Sequence, residues 1–134
     1  MYAPVNMVNE YGNFYFYASH LAEIALTIFG YDPVAVQATK TNTGVAAILE
    51  YADFAVTLSY TDGACSYGAT VLSKDGATQK PIDISDCYAV EVAHFVHMLR
   101  TGEVPQCDHD IVYPVKVLNA IEKAYTEGGR QVIG

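Results

Sequence analysis

His20 is the ionisable residue whose position most suggests chemistry. The sequence predicts that it lies in the first turn of a helix, beside an apolar stripe and after a loop rich in polar and aromatic residues. Because the positive end of a helix dipole disfavours an imidazolium, we expect a neutral ring that can accept a proton or a hydrogen bond. A histidine that only makes a hydrogen bond at a helix start would show the same pattern, and the composition alone favours this second interpretation.

Aromatic side chains with polar tips precede this histidine. Tyr11, Tyr15 and Tyr17 are suited to line a pocket for a sugar or a cofactor, because each combines an apolar ring with a hydroxyl. Clusters of this kind more often pack at the edge of a sheet. Glu23, which follows His20 by about one helical turn, either orients the imidazole or remains solvated, and the solvated interpretation is the simpler one.

Two further histidines have a spacing that is compatible with a metal site. His94 and His97 lie three residues apart, and Glu91 lies three residues before the first of them. The apolar stripe of the same predicted helix lies on the opposite face, so we expect these side chains in solvent or at an interface. No further ligand is indicated, and residues 108–110 are best interpreted as a loop with a helix cap. We therefore predict no metal site.

Several catalytic signatures do not occur in the sequence. It has no G-x-G-x-x-G, no G-x-x-x-x-G-K-S/T, no G-x-S-x-G and no H-E-x-x-H motif. The residues thus supply neither a phosphate-binding loop nor a nucleophile elbow. Taken alone, they favour a helper or binding domain over a self-contained enzyme.

The predicted elements that position these residues are three helices and a series of short strands. Apolar residues at i, i+3, i+4 and i+7 predict a first helix that begins at Ser19 as N-cap and ends at Gly30. Two Asp-Gly pairs mark hairpin turns in the strand region. In the last helix, Asp110 is the expected N-cap and Pro114 falls in the first turn. The predicted strands span about residues 2–8 (at a sheet edge), 34–39, 45–51, 54–60, 66–73, 78–84 and 130–133.

This order of elements predicts an α+β domain in which a mostly antiparallel sheet is covered by helices on one face. The second helix carries an apolar stripe, which we expect to pack. Along the strand that starts at Phe54, the side chains that alternate with the apolar series are small or hydroxylated. That face of the sheet either lies against another subunit or faces water, and the pattern does not choose between them. The stripe of the second helix consists of Val92, Phe95, Val96 and Leu99.

Length and charge narrow the classes of function. The chain has 134 residues, of which 51% are apolar, so residues 1–134 are expected to form one folded domain. Its formal charge of −8 repels phosphate backbones and anionic lipids, so nucleic-acid and membrane partners are not expected. The sequence shows no secretory signal and no apolar run long enough to span a bilayer. Three widely spaced cysteines without a C-x-x-C pair indicate reduced thiols and a cytoplasmic location.

Two stretches resemble the C-terminal domain of the Gfo/Idh/MocA oxidoreductases, the family of glucose–fructose oxidoreductase and inositol dehydrogenase. The first is F-Y-A-S-H-L-A-E-I at residues 16–24, continued by F-G-Y-D-P-V at residues 29–34. The family pattern there is roughly D-x-G-x-H-x-x-D, so His20 matches, whereas Phe16, Ala18 and Glu23 replace Asp, Gly and Asp. The second stretch consists of Glu91, Phe95, Leu99, Gly102, Glu103, Pro105, Asp110 and residues 117–121. Together the similarity covers essentially the whole chain.

The resemblance implies an NAD(P)-dependent oxidoreductase that transfers a hydride between nicotinamide and a sugar, an inositol or a similar polyol. In this family an N-terminal Rossmann domain binds NAD or NADP. The α+β domain, similar to the C-terminal domain of glyceraldehyde-3-phosphate dehydrogenase, covers the nicotinamide, contacts the substrate and forms a dimer or tetramer through its open sheet face. The resemblance implies a catalytic role for His20, together with a lysine of the Rossmann half. Tyr11, Tyr17 and His20 are the expected substrate contacts.

The sequence does not include the nucleotide-binding half of such an enzyme. We expect the chain to be part of a longer protein, inactive alone, with no cofactor of its own and no cofactor contact that can be assigned to a numbered residue. The alternative is a stand-alone module that binds a small molecule or assembles with other chains, without catalysis. The replacement of the motif aspartate by Phe16 motivates this alternative.

Overall fold

Three helices and seven strands build the chain, in a computed structural model that describes residues 1–64, 66–104 and 106–134. This arrangement confirms the predicted α+β class. The helices are α1 (Phe14–Phe29), α2 (Cys87–Thr101) and α3 (Asp108–Glu127). The strands are β1 (Tyr2–Val5), β2 (Ala35–Thr41), β3 (Gly44–Glu50), β4 (Ala55–Asp62), β5 (Tyr67–Ser73), β6 (Gly76–Ile82) and β7 (Gln131–Val132).

The strands form one mostly antiparallel sheet in the order β6-β5-β1-β4-β3-β2-β7. β1 runs parallel to β4 and lies between β4 and β5, so the prediction of an edge strand near residues 2–8 is wrong. That prediction relied on Pro4, which has no N–H to donate to a neighbouring strand. β5 pairs with β1 through Gly68 and Tyr2, before Pro4 is reached, which is how a proline is accommodated inside the sheet.

The core lies between one face of the sheet and the two helices α1 and α3. On β4, the alternate residues Val56, Leu58 and Tyr60 point into it and are at most 6% exposed, as the period-2 pattern predicted. Phe54, the first member of that predicted series, lies before the strand and is 47% exposed. Its ring stacks on that of Tyr51, with the centroids 4.5 Å apart.

On the opposite face of the sheet, β4 carries small and hydroxylated side chains, as predicted for that strand. Gln37, Ala46 and Thr57 are exposed there, in alternation with the buried residues of β2, β3 and β4. Ile48, at the centre of this face, is 43% exposed. In the described part of the chain, α1 and α3 pack on the other side, so this face is open. Oligomerisation through it stays a prediction.

α1 begins well before the predicted N-cap. Its N-cap residue is Asn13, which has a φ of 55°, whereas Ser19 lies inside the helix and donates a hydrogen bond to the Phe16 carbonyl at 3.3 Å. The preceding loop sets this start. The side-chain oxygen of Asn9 accepts hydrogen bonds from the backbone N–H groups of Tyr11 (2.8 Å) and Asn13 (3.1 Å). Such side-chain-to-backbone bonds fix a turn, and the periodicity of the helix itself does not reveal them.

α3 also begins earlier than predicted. Its N-cap residue is Cys107 rather than Asp110, and Pro114 lies inside the helix rather than in its first turn. Asp108 and Asp110 both fall in the first turn, where the helix dipole stabilises a carboxylate. An acidic residue in this region therefore indicates the start of the helix without fixing which residue is the cap.

α2 departs most from the prediction. Its apolar stripe was expected to pack, yet none of the helix residues is buried. Val92, Phe95 and Leu99 are 60%, 55% and 68% exposed. His94 and His97 are exposed as well, as expected. Amphipathic periodicity identifies the apolar side of a helix, but it does not identify what covers that side.

An ion pair connects the segment before β7 to the sheet. Arg130 Nε donates to Glu50 Oε2 at 2.7 Å, and Gln37 Nε2 donates to Oε1 of the same carboxylate at 2.9 Å. The hydrogen bonds from Gln37 and then Arg130 lower the pKa of Glu50. A carboxyl group whose pKa is lower in the folded chain stabilises the fold above its unfolded pKa. That stabilisation is lost as the pH falls through the folded value.

We expect Glu50→Gln to remove part of the loss of stability on acidification. The measurement is the free energy of unfolding in urea at several values between about pH 7 and about pH 3, the range in which carboxyl groups titrate. Glu127→Gln is the matched control, because Glu127 makes a long and exposed contact on the surface of α3, with 3.8 Å between its Oε2 and the Nζ of Lys123. If both variants keep the acid dependence of the unchanged chain, the Glu50 contacts contribute nothing to it.

Candidate functional site

The predicted site residues lie on the solvent-facing side of the beginning of α1. Tyr17 and His20 are three residues apart on the helix and therefore project from the same side. Both side chains are exposed. Because α1 begins at Phe14, His20 lies in its second turn, and the prediction that it lies in the first turn is wrong. The field of the helix dipole falls off within the first turn, so it is a weaker reason to expect a neutral imidazole at His20. The position of the side chain beside Tyr17 is unaffected.

Three aromatic rings, Tyr11, Phe16 and Tyr17, form a continuous surface beside His20, which we call the aromatic platform. The ring centroids of Tyr11 and Phe16 are 5.3 Å apart, and those of Phe16 and Tyr17 are 4.9 Å apart. The three side chains are 67%, 44% and 38% exposed. Such a surface can stack against a flat ring or against the apolar face of a sugar.

The hydroxyl of Tyr11 interacts with the neighbouring Glu10 side chain. A hydrogen bond with the Glu10 side chain raises the pKa of Tyr11, with further contributions from burial and from Tyr17. A tyrosine with a raised pKa keeps its proton at neutral pH. Phe16 joins the two tyrosines into one surface, and the sequence had flagged it only as a departure from the family motif. Its position four residues before His20 is the signal that places it on the same side of α1.

A shallow cleft of about 360 Å³ opens beside the platform. Tyr17 forms its aromatic wall and Asp62 contributes a carboxylate. A volume of this size is at the lower end of the range for small-ligand pockets. The remaining lining residues are Pro4, Val5, Asn6, Gly63 and Ala64.

Tyr15 does not belong to this surface. Its hydroxyl donates to Glu122 Oε2 at 2.6 Å and lies 3.0 Å from Asn119 Oδ1, both on α3. Burial, followed by the hydrogen bond with Glu122, raises the pKa of Tyr15 far above its ordinary value. Tyr15 thus ties α1 to α3, which supports the packing interpretation for this residue.

Other candidate groups stay apart from the platform. Glu23 is exposed, in agreement with its solvated interpretation. Within the residues that the structure describes, no three histidine, cysteine or carboxylate side chains gather closely enough to hold a metal ion.

No helix in the described ranges combines the length and the apolar character needed to cross a membrane. Cys87 and Cys107 are free and exposed. Cys65, the third cysteine of the sequence, and Pro105, part of the second stretch that resembles the family, lie outside the described residues.

An exposed imidazole next to an aromatic platform can accept a proton from a ligand that stacks on the rings. The site is open to solvent on its outer side, since every platform ring is more than a third exposed. Hydride transfer requires the exclusion of water from the reacting atoms. The described surface alone does not exclude water in this way.

Comparisons with known proteins bear on the fold. The sequence matches no protein-family model and no curated protein. The fold is similar to that of solved structures, among them the "putative oxidoreductase yvaA from Bacillus subtilis", with a TM-score of 0.66 and 12% sequence identity. The match covers 99% of this chain and 56% of that chain, so the present sequence spans little more than half of that protein's length. Similarity at this level of identity shows a shared fold.

Proposed function

We propose that this chain is the substrate-binding and oligomerisation domain of an NAD(P)-dependent oxidoreductase that acts on a sugar, an inositol or a related polyol. The observation that carries the proposal is the outer side of α1, where His20 lies next to the aromatic platform. The motif similarity at residues 16–34 and the fold shared with the Bacillus subtilis neighbour give it support. The activity would belong to the protein that also contains a nucleotide-binding domain.

The chain's own residues fit one end of a nicotinamide cofactor and not the other. Exposed aromatic rings suit a flat nicotinamide or a sugar ring. The diphosphate does not suit a chain with a formal charge of −8 and without a phosphate-binding loop, so a separate domain would hold it. The bound cofactor supplies the acceptor for the hydride.

In this proposal His20 manages the proton of the reacting hydroxyl. Oxidation of a carbinol carbon releases that proton, and a positioned imidazole can accept it or pass it on. Tyr11 and Tyr17 direct hydroxyl groups toward the substrate and hold it over the platform. Phe16 stands where the family has a carboxylate, so His20 lacks an acidic partner one turn earlier and passes its proton to solvent or to the second domain.

A module that binds a small molecule without catalysis is the second candidate. Phe16 in the place of the motif aspartate favours it, because the usual carboxylate is missing from the proton path. The two candidates differ in one property that can be measured. Binding of a polyol to the module would not depend on nicotinamide, whereas binding to half of an oxidoreductase site would be strengthened by it.

We expect the polyol myo-inositol to perturb the NMR resonances of Tyr11, Tyr17 and His20 when it is titrated into the chain. The affinity should be weak, in the millimolar range, because the site has one wall. The measurement that separates the candidates uses the protein that also contains the nucleotide-binding domain, because that domain would hold the cofactor. There NAD⁺ should enlarge the shifts if the first candidate is right and leave them unchanged if the second is.

Two alanine variants separate a real site from nonspecific contact. Tyr17→Ala should abolish the shifts. Tyr88→Ala, which changes a tyrosine that is 78% exposed on α2, should not. If myo-inositol causes no shifts, or if it shifts the resonances of Tyr17 and Tyr88 equally, there is no polyol site at the platform.

A further inference from the structure

A second cleft opens between the loop that precedes α1, the end of β2 and the helix α3. Its volume is about 520 Å³, within the range of small-ligand pockets, and it shares no lining residue with the cleft beside the aromatic platform. The proposed function does not involve it. Its wall combines apolar side chains with charged and hydroxyl-bearing ones, among them Met7, Val8, Phe14, Lys40, Glu122 and Tyr125.

Two opposite charges line this cleft without forming an ion pair. Lys40 Nζ lies over the ring of Tyr125, 5.1 Å from its centroid, and Glu122 Oε1 lies 3.5 Å from the Tyr125 hydroxyl. Among the residues that the structure describes, no oppositely charged group lies within 4.0 Å of either side chain. A cation and an anion thus face one cleft, both in contact with the same tyrosine, and each retains capacity for a charged group of a ligand.

The carboxylate of Glu122 is fixed at one oxygen and only weakly engaged at the other. Tyr15 donates to Oε2 at 2.6 Å, whereas the contact of Oε1 with Tyr125 is long, at 3.5 Å. Burial, followed by the charge of Glu122 and the hydrogen bond with it, raises the pKa of Tyr125, so this hydroxyl keeps its proton at neutral pH. Because a carboxylate accepts up to about four hydrogen bonds, Oε1 can still accept a short, charge-assisted bond from a ligand.

The loop that forms another wall of the cleft is held in place by its own contacts. The backbone N–H of Asn9 donates to Asn13 Oδ1 at 3.1 Å, and Asn9 Nδ2 donates to the Asn13 carbonyl at 2.9 Å. Phe14, which is 3% exposed, anchors the end of the loop in the core. A wall that is already ordered reduces the entropic cost of binding a ligand.

We propose that this cleft binds a small zwitterion with an apolar body, namely an α-amino acid with an aliphatic side chain. The ammonium group of the ligand donates to Glu122 Oε1, and its carboxylate accepts from the ammonium group of Lys40. The aliphatic side chain lies against Met7 and Val8, where its apolar surface is removed from water. This second site does not depend on the proposed oxidoreductase function.

Charge selects a zwitterion over a simple anion or a simple cation. The chain has a formal charge of −8, so it repels an anion, which would also approach Glu122 in this cleft. A simple cation would approach Lys40. A zwitterion has no net charge and places one of its groups at each of these two side chains, so neither charge of the cleft faces a like charge.

An NMR titration of the chain with L-leucine at neutral pH tests the proposal. We expect shifts of the backbone resonances of Gly12, Lys40 and Glu122, with a dissociation constant in the millimolar range, because the ligand is small and the cleft is open. Two analogues are matched probes, since 4-methylpentanoate lacks the ammonium group and 3-methylbutylamine lacks the carboxylate. Each should bind at least about tenfold more weakly than L-leucine, the effect of losing one charged hydrogen bond.

Two variants assign the two charges to the two ends of the ligand. Lys40→Gln should weaken the binding of L-leucine about tenfold and should not weaken that of 3-methylbutylamine, which has no carboxylate. Glu122→Gln should weaken L-leucine to a similar extent and should not weaken 4-methylpentanoate. Lys116→Gln is the matched control, because Lys116 also lies over a tyrosine ring, 6.0 Å from the centroid of Tyr113, and does not line the cleft. Circular dichroism checks that each variant is folded.

Three outcomes would overturn the proposal. If L-leucine causes no saturable shifts up to about 50 mM, the cleft binds no amino acid of this class. If either analogue binds as tightly as L-leucine, the ligand is not recognised as a zwitterion. If neither Lys40→Gln nor Glu122→Gln weakens the binding, the ligand lies elsewhere. The effect of myo-inositol is measured at Tyr11, Tyr17 and His20, so the failure of either proposal leaves the other standing.

Discussion

Replacement of Phe14 by alanine is expected to lower the free energy of unfolding by about 3–5 kcal/mol, the usual range for removing a buried phenylalanine. Phe14 is 3% exposed and is the first residue of α1. Its ring meets those of Tyr60 and Tyr125 edge-on, at centroid distances of 5.1 Å and 6.0 Å. The substitution leaves a cavity among side chains of α1, α3 and the sheet, and these elements cannot all move inward to fill it.

The measurement is urea unfolding followed by circular dichroism. Phe14→Leu should lose clearly less stability than Phe14→Ala, because leucine fills much of the same volume. Phe54→Ala is the control for an aromatic residue outside the core, since Phe54 is 47% exposed. A loss of less than about 1 kcal/mol for Phe14→Ala would show that the first turn of α1 is not anchored by this ring.

Phe14 also links the stability of the fold to the candidate site. The aromatic platform flanks Phe14 in the sequence on both sides, and Tyr17 follows it by less than one turn. If the first turn of α1 loosens, the platform loses its geometry even where the rest of the chain remains folded. We therefore expect Phe14→Ala to weaken any ligand contact at the platform through a change in structure, without any contact of Phe14 with the ligand.

The sequence predicted elements well where a local pattern reports burial. The alternation of Val56, Leu58 and Tyr60 predicted β4, because the spacing of a strand with one buried face is visible within a few residues. The central position of β1 was not predictable in this way. It depends on pairing between Tyr2 and Ser59, which are far apart in the sequence, and the presence of Pro4 favoured an edge.

The candidate site shows the same limit. The position of His20 and Tyr17 on one side of a helix was not predicted, because the predicted helix began at Ser19 and left Tyr17 in the segment before it. The separation of Tyr15 from these two residues could not be predicted from local spacing either, because its hydrogen-bond partner Glu122 lies 107 residues away on α3. The exposure of Phe95 was equally hidden, since an apolar stripe looks the same whether it packs within the chain or against another body.

Replacement of His20 by alanine is expected to lower kcat by about 100-fold or more in the oxidoreductase that would combine this domain with a nucleotide-binding domain, if the imidazole acts as acid–base group. The reason is that the proton of the reacting hydroxyl then has to leave without a positioned acceptor. The substitution should change the fold little, because the side chain is exposed on α1. His94→Ala is the matched control, since His94 is an exposed histidine on a different helix.

The separate effects on kcat and KM decide what His20 does. An acid–base group acts in the transition state, so its loss lowers kcat and kcat/KM by similar factors. A residue that only contacts the substrate would raise KM and leave kcat nearly unchanged. Equal rates for the unchanged protein and His20→Ala would contradict both roles. The similarity of residues 16–24 to the family motif would then reflect the folding of α1, and the non-catalytic module would become the better account of this chain.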